Sequence, residues 1–172
     1  LFIAMNSLKK KIFSIDEIIF NSFFRRKYNL IKYNLKLFFI NFSKNSKLDI
    51  KKHDLKKKLI ISLTSYPPRF KTLPLVLRSI QKQSIKADEV ILWIEKKDKK
   101  KIHASILNFE GIIVKYCENN LFSYKKIIPT LRKYKNCYII TLDDDVIYSN
   151  DSVEKLINQS KNHPNDIVAN CI

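Results

Sequence analysis

CYIITLDDDVIYSN, residues Cys137–Asn150, is the stretch on which the fold is read. It is an apolar strand, Cys137–Leu142, that stops in three consecutive carboxylates, Asp143, Asp144 and Asp145. Like charges this close repel, and setting them beside an apolar strand costs stability unless something offsets them. A divalent cation, a hard ion that takes oxygen ligands, is the usual offset, and a solvated acidic turn is the bland alternative. Position favours the cation, because open α/β sheets bind ligands beyond the carboxyl ends of their strands.

Downstream, Asp151 with Glu154 three residues on reads as a capping box for a helix with Val153, Leu156 and Ile157 inward. His163-Pro164 ends that helix, and Ile167–Ile172 reads as one more strand. Upstream, Leu59–Leu63 is a short strand closed by Thr64-Ser65-Tyr66-Pro67-Pro68-Arg69, since proline cannot continue a sheet ladder. Thr72 is placed to cap the next helix, Pro74 suits its first turn, and Leu73, Val76, Leu77 and Ile80 share one face. Glu89–Ile94 is nearly continuous in apolar residues, as a parallel strand covered on both faces would be. Lys96–Lys101 then leads into a helix with Ile102, Ile106 and Leu107 inward, and Gly111 opens the strand Ile112–Tyr116. Over Ser123–Tyr134 the helical spacing of Tyr124, Ile127, Ile128 and Leu131 is interrupted by Pro129, so the helix is either kinked or begins near Ile128. Strands alternating with helices predict an α/β layer with a mostly parallel sheet flanked by helices.

The first 58 residues differ. Residues 1–43 read as a basic, aromatic helical extension, with helices over 14–24 and 28–42, and 44–58 as a Lys-rich linker to a domain over 59–172. No apolar run reaches the roughly 18–20 residues that span a bilayer. The lysines of LFIAMNSLKKK follow the apolar residues, the wrong order for a signal peptide. The extension therefore reads either as a peripheral contact with an anionic membrane surface or as helices packed on the domain. The chain opens at Leu1, has Met5 as its sole methionine, and ends at Ile172 inside an apolar run, features expected of a fragment.

The net charge of +17 points to an anionic partner. No nucleic-acid-binding motif accompanies it, and much of it lies in the extension and linker, so nucleic acid is not the expected partner. Cys117, Cys137 and Cys171 lack CxxC spacing and read as reduced core thiols of a cytoplasmic protein, while His53, His103 and His163 are scattered surface or capping residues. With Gly111 the single glycine, a P-loop or glycine-rich dinucleotide loop is excluded. A bound nucleotide must be held by side chains, helix ends and metal.

Three stretches, ISLTSYPPRF, SYKKIIPTL and IITLDDDVIY, together resemble bacterial glycosyltransferases of the GT-A fold, in the broad family-two-like group, over about Leu59–Ile172. The resemblance implies a Rossmann-like nucleotide-sugar half, a nucleoside-diphosphate sugar donor, and a glycan or lipid-linked acceptor in surface polysaccharide assembly on the cytoplasmic face. It implies manganese or magnesium on Asp145, with Asp143 as partner and Asp144 contributing or tilting the turn. Thr64, Ser65, Tyr66 and Arg69 would line the base and ribose, Lys125 would face the diphosphate, and Glu95 with Trp93 would approach the base. Against these stand a plain Pro-Pro turn, a solvated lysine, and a core position for Trp93. Relatives continue into an acceptor half carrying the catalytic base, for which no residues follow Ile172, so a truncated, non-catalytic nucleotide-binding remnant is the alternative. A haloacid-dehalogenase-type phosphotransferase also uses DxD after a strand, but here Val146 and Ile147 follow Asp145 and the motif lies late in the chain.

Overall fold

A computed structural model describes residues 50–169, all within one compact unit, Lys47–Ile172. The helices predicted over 14–24 and 28–42 lie outside the described residues. The strands are β1 (Lys51–Lys52), β2 (Leu59–Thr64), β3 (Ile85–Lys86), β4 (Glu89–Glu95), β5 (Ile112–Cys117) and β6 (Tyr138–Leu142). The helices are α1 (Leu73–Gln81), α2 (Ala104–Leu107), α3 (Ile128–Lys133) and α4 (Ser152–Asn162), with 3₁₀ turns at Pro67–Arg69, Lys96–Lys101 and Phe122–Lys126.

The main sheet has the order β5-β4-β2-β6, parallel throughout, and β1 pairs with β3 in a separate two-stranded ribbon. This is the α/β layer expected from the sequence. β2 is central, and the alternation of its side chains divides the core. Leu59, Ile61 and Leu63 join Leu92, Ile94 and Leu142 under α1, α2 and α4, through Leu73, Val76, Leu77, Ile80, Ile106, Val153 and Ile157. Ile60 points the other way, with Ile91 and Trp93, towards Tyr134 beyond α3. Gly111, at φ +75, makes the left-handed turn into β5 that a side chain would strain.

Several local expectations are corrected. Thr72 precedes α1, but its hydroxyl donates back to the Arg69 carbonyl instead of capping the helix. The Asp151/Glu154 capping box does not form. Buried Gln83 accepts from the Val153 amide at 2.9 Å, while Glu154 accepts from Ser84 Oγ at 2.7 Å. Leu107, Tyr124 and Leu131 are exposed. The helix after Phe122–Lys126 begins at Ile128, which puts Pro129 in its first turn, where a missing amide proton costs nothing. Residues 167–169 form no strand, and Ile167 is fully exposed. His103 caps α2 as expected, whereas His53 is largely buried and paired with Asp88 at 2.8 Å. No helix among the described residues is long and apolar enough to cross a membrane.

Candidate functional site

The site assembles where β2 and β6 end. Parallel register sets Leu63 opposite Leu142, so Thr64 and Ser65 emerge level with Asp143 and Asp144. The 3₁₀ turn set by Pro67 and Pro68 then returns Arg69 over the same end. Buried Asp144 accepts hydrogen bonds from Ser65 Oγ at 2.6 Å and from Arg69 Nη1 at 2.9 Å. The same guanidinium nitrogen lies 2.6 Å from Asp145 Oδ2, and the group sits 5.6 Å from the centre of the Tyr66 ring. Contact with Tyr66 first, and then with Asp145, holds Arg69 above its ordinary pKa, so its charge is permanent.

Asp143 pairs with Lys126 Nζ at 2.5 Å. Its amide donates to the Tyr148 hydroxyl at 2.7 Å. Burial first, and then the negative Asp143, push the Tyr148 phenol up to about 12, so it stays protonated at neutral pH. The turn is also pinned from α1, where Ser79 Oγ accepts from the Tyr148 amide and Gln83 Nε2 donates to the Ser149 carbonyl.

Thus two protein cations, Arg69 and Lys126, pair with the triplet, at the turn where a divalent cation was the expected offset. Among the described residues no three His, Cys, Asp or Glu side chains are gathered to hold a metal. Asp143 and Asp145 keep side chains 57% and 54% exposed, against 11% for Asp144. Two carboxylates therefore remain open to solvent while the third is built into the wall.

Lys125 lies in the 3₁₀ turn beside Lys126 and is 5% exposed, and its side chain makes no ion pair or hydrogen bond with the described residues. Its turn is fixed by a buried polar cluster. Ser62 Oγ and Thr130 Oγ1, 2.8 Å apart, both reach the Lys126 carbonyl, and Trp93 Nε1 donates to Thr130 Oγ1 at 2.8 Å. Phe122, at φ 48, enters the turn in a left-handed conformation that costs a bulky residue about 1 kcal/mol.

Ser65, Tyr66, Arg69, Asp144 and Asp145 are thus brought together. Thr64 stands beside them, its hydroxyl donating to the Trp93 carbonyl at 2.8 Å. Glu95 is buried at the end of β4 and pairs with Lys97 rather than with the acidic turn. Trp93 is a core residue, as its bland reading held. Lys126 and Tyr148 were missed by the sequence reading, although SYKK offers two lysines and Tyr148 lies three residues past the triplet.

A parallel sheet that gathers charged residues beyond its carboxyl ends defines an α/β protein with its site where open α/β sheets bind ligands. The sequence model of glycosyl transferase family 2 matches residues 65–172, well over half the chain, and the chain belongs to that family. The matched segment starts at Ser65, the residue that donates to Asp144. No curated protein matches the chain.

Proposed function

We propose that this glycosyltransferase takes its sugar from a nucleoside diphosphate held over the ends of β2 and β6, for transfer to a glycan or lipid-linked acceptor in surface polysaccharide assembly. Thr64, Ser65, Tyr66 and Arg69 line the nucleoside side, with Arg69 at its phosphate end, and Lys125 meets the diphosphate. The observation that carries this reading is Lys125, a side chain 5% exposed that makes no ion pair with the described residues. Burying an unpaired charge is costly, and a phosphate oxygen is the partner that would compensate it.

Asp143 and Asp145 suit manganese or magnesium. Such ions are bound by one or two carboxylates together with substrate phosphates, not by all-protein cages, and two half-exposed carboxylates offer that donor set. When bound, the ion supplies Lewis-acid stabilisation of the charge that gathers on the departing diphosphate. Asp144 acts differently, tying Ser65 and Arg69 to the turn. Glu95, paired with Lys97 at the end of β4, would approach the base. Residues 1–43 are assigned to contact with an anionic membrane surface on the cytoplasmic side.

Isothermal titration of UDP, GDP and CMP, with and without manganese, tests the donor site. One nucleotide should bind the wild type in a manganese-dependent way, and Asp145→Ala should weaken it at least about tenfold, the loss expected of a charge-assisted ligand. Absence of metal-dependent binding to the wild type removes the assignment.

A further inference from the structure

The charged side chains of the acidic turn and its two flanking segments already have partners before any ligand binds. Arg69 spans Asp144 and Asp145, and Lys126 holds Asp143. Two cations thus face three carboxylates, so most of the triplet's charge is offset before any ligand arrives. A divalent cation arriving alone therefore meets carboxylates whose charge is largely spent, with fixed positive groups nearby. A diphosphate arriving alone meets cations that are already paired.

We propose that Arg69 and Lys126 are exchangeable counter-ions: they leave Asp143 and Asp145 for the phosphates when the diphosphate binds, and so make metal and nucleotide bind as a pair. This rests on the donor-site reading and deepens it. The exchange asks little of the fold. The Lys126 carbonyl is held by Ser62 and Thr130, and Arg69 stands on a Pro-Pro turn, so both backbones stay in place while the side chains swing. The Lys126 stem is flexible and its side chain 20% exposed, with that of Arg69 34% exposed, so both heads have somewhere to go. A guanidinium fork fits a phosphate as it fits a carboxylate, so Arg69 exchanges one pair of strong hydrogen bonds for another. Asp144 keeps Ser65 throughout and holds the turn in register.

The test reads binding, not turnover. Free manganese is measured by electron paramagnetic resonance in the presence of the full chain, for wild type, Arg69→Gln and Lys126→Met. Lys161→Gln, which removes a lysine paired with Asp54, controls for net charge. Manganese alone should bind the two site variants about fivefold tighter than wild type, a size set by what part-exposed ion pairs are worth. Titrated with manganese present, whichever of UDP or GDP binds the wild type should bind both variants about fivefold more weakly or worse. The control should move neither quantity. The two residues lie on separate segments, so a single folded variant, checked by circular dichroism, decides the matter. If the wild type binds nucleotide with manganese but the variants hold manganese alone no tighter, the exchange is wrong and the donor site stands. If the variants hold manganese tighter yet bind nucleotide unchanged, transfer to the phosphates is wrong. If the wild type binds no nucleotide, both readings fall together.

Discussion

Asp88 shows how much a single carboxylate oxygen can organise. Its Oδ2 accepts from the Leu59 amide, at the start of the central strand, and from His53 Nε2, both at 2.8 Å. It thereby ties residues 51–58 to the sheet. The Leu59 amide bond first, and then His53, hold the Asp88 carboxyl below its ordinary value of 3.8. A carboxylate depressed in the folded state stabilises it above the unfolded pKa, and that stabilisation is lost as pH falls through the folded value. The Asp88→Asn variant should therefore have a lower urea midpoint than wild type near pH 7, with the gap closing as pH falls below the ordinary carboxylate value of 3.8. A gap of constant size across that range would mean that Asp88 acts by packing alone. The same local logic explains why the acidic triplet was only partly legible. Three adjacent carboxylates announce a charge that needs offsetting, but nothing in the sequence tells which one turns inward. That is decided by Ser65 and Arg69, 79 and 75 residues away along the chain from Asp144.

At the scale of elements, the strands were readable because a parallel strand covered on both faces is almost continuously apolar. β2 and β4 are accordingly buried over most of their length. The short helices were less so. A single 3.6-residue period laid over Ser123–Tyr134 sends Tyr124 and Leu131 inward, but the segment starts as a 3₁₀ turn with three residues per turn. It breaks at Ile127 (φ −110, ψ −49) before α3 begins, and the phase is lost at that break. Lys125 and Thr130 are buried instead. α1 has no such break, and Leu73, Val76, Leu77 and Ile80 all face the core as spaced. Two truncations separate these cases. Leu77→Ala, at 0% exposure, should cost about 2–5 kcal/mol in urea unfolding. Leu131→Ala, at 51% exposure, should stay within about 0.5 kcal/mol. A large loss at Leu131 would restore the single-period helix and displace the buried lysine with it. The cap of α4 is a similar case: Gln83 approaches from beyond α1, and no pattern local to Asp151 and Glu154 discloses a partner that far back in the chain.

Across the whole molecule the charge is uneven in a way that bears on where the enzyme works. Residues 1–43 carry eight Lys and Arg against two Asp and Glu, interleaved with aromatics, out of a net charge of +17 for the chain. Basic residues near an anionic lipid surface contribute about 1 kcal/mol each, and aromatic side chains add apolar contact at the headgroup level. A sum of that size would suffice for reversible attachment. Its electrostatic part must fade as salt shortens the Debye length to about 3 Å near 1 M. The full chain should therefore float with vesicles containing phosphatidylserine or phosphatidylglycerol, largely detach at high salt, and ignore vesicles of phosphatidylcholine. A chain starting at Lys47, the first residue of the compact unit, keeps Asp88 and its partners and tests the extension without disturbing the sheet. It should stay unbound under the same conditions. Equal flotation of the shorter chain would move the attachment to the basic surface of the transferase unit itself. The anionic headgroups would then compete with the nucleotide for lysines near the site, and vesicles would weaken the manganese-dependent titration.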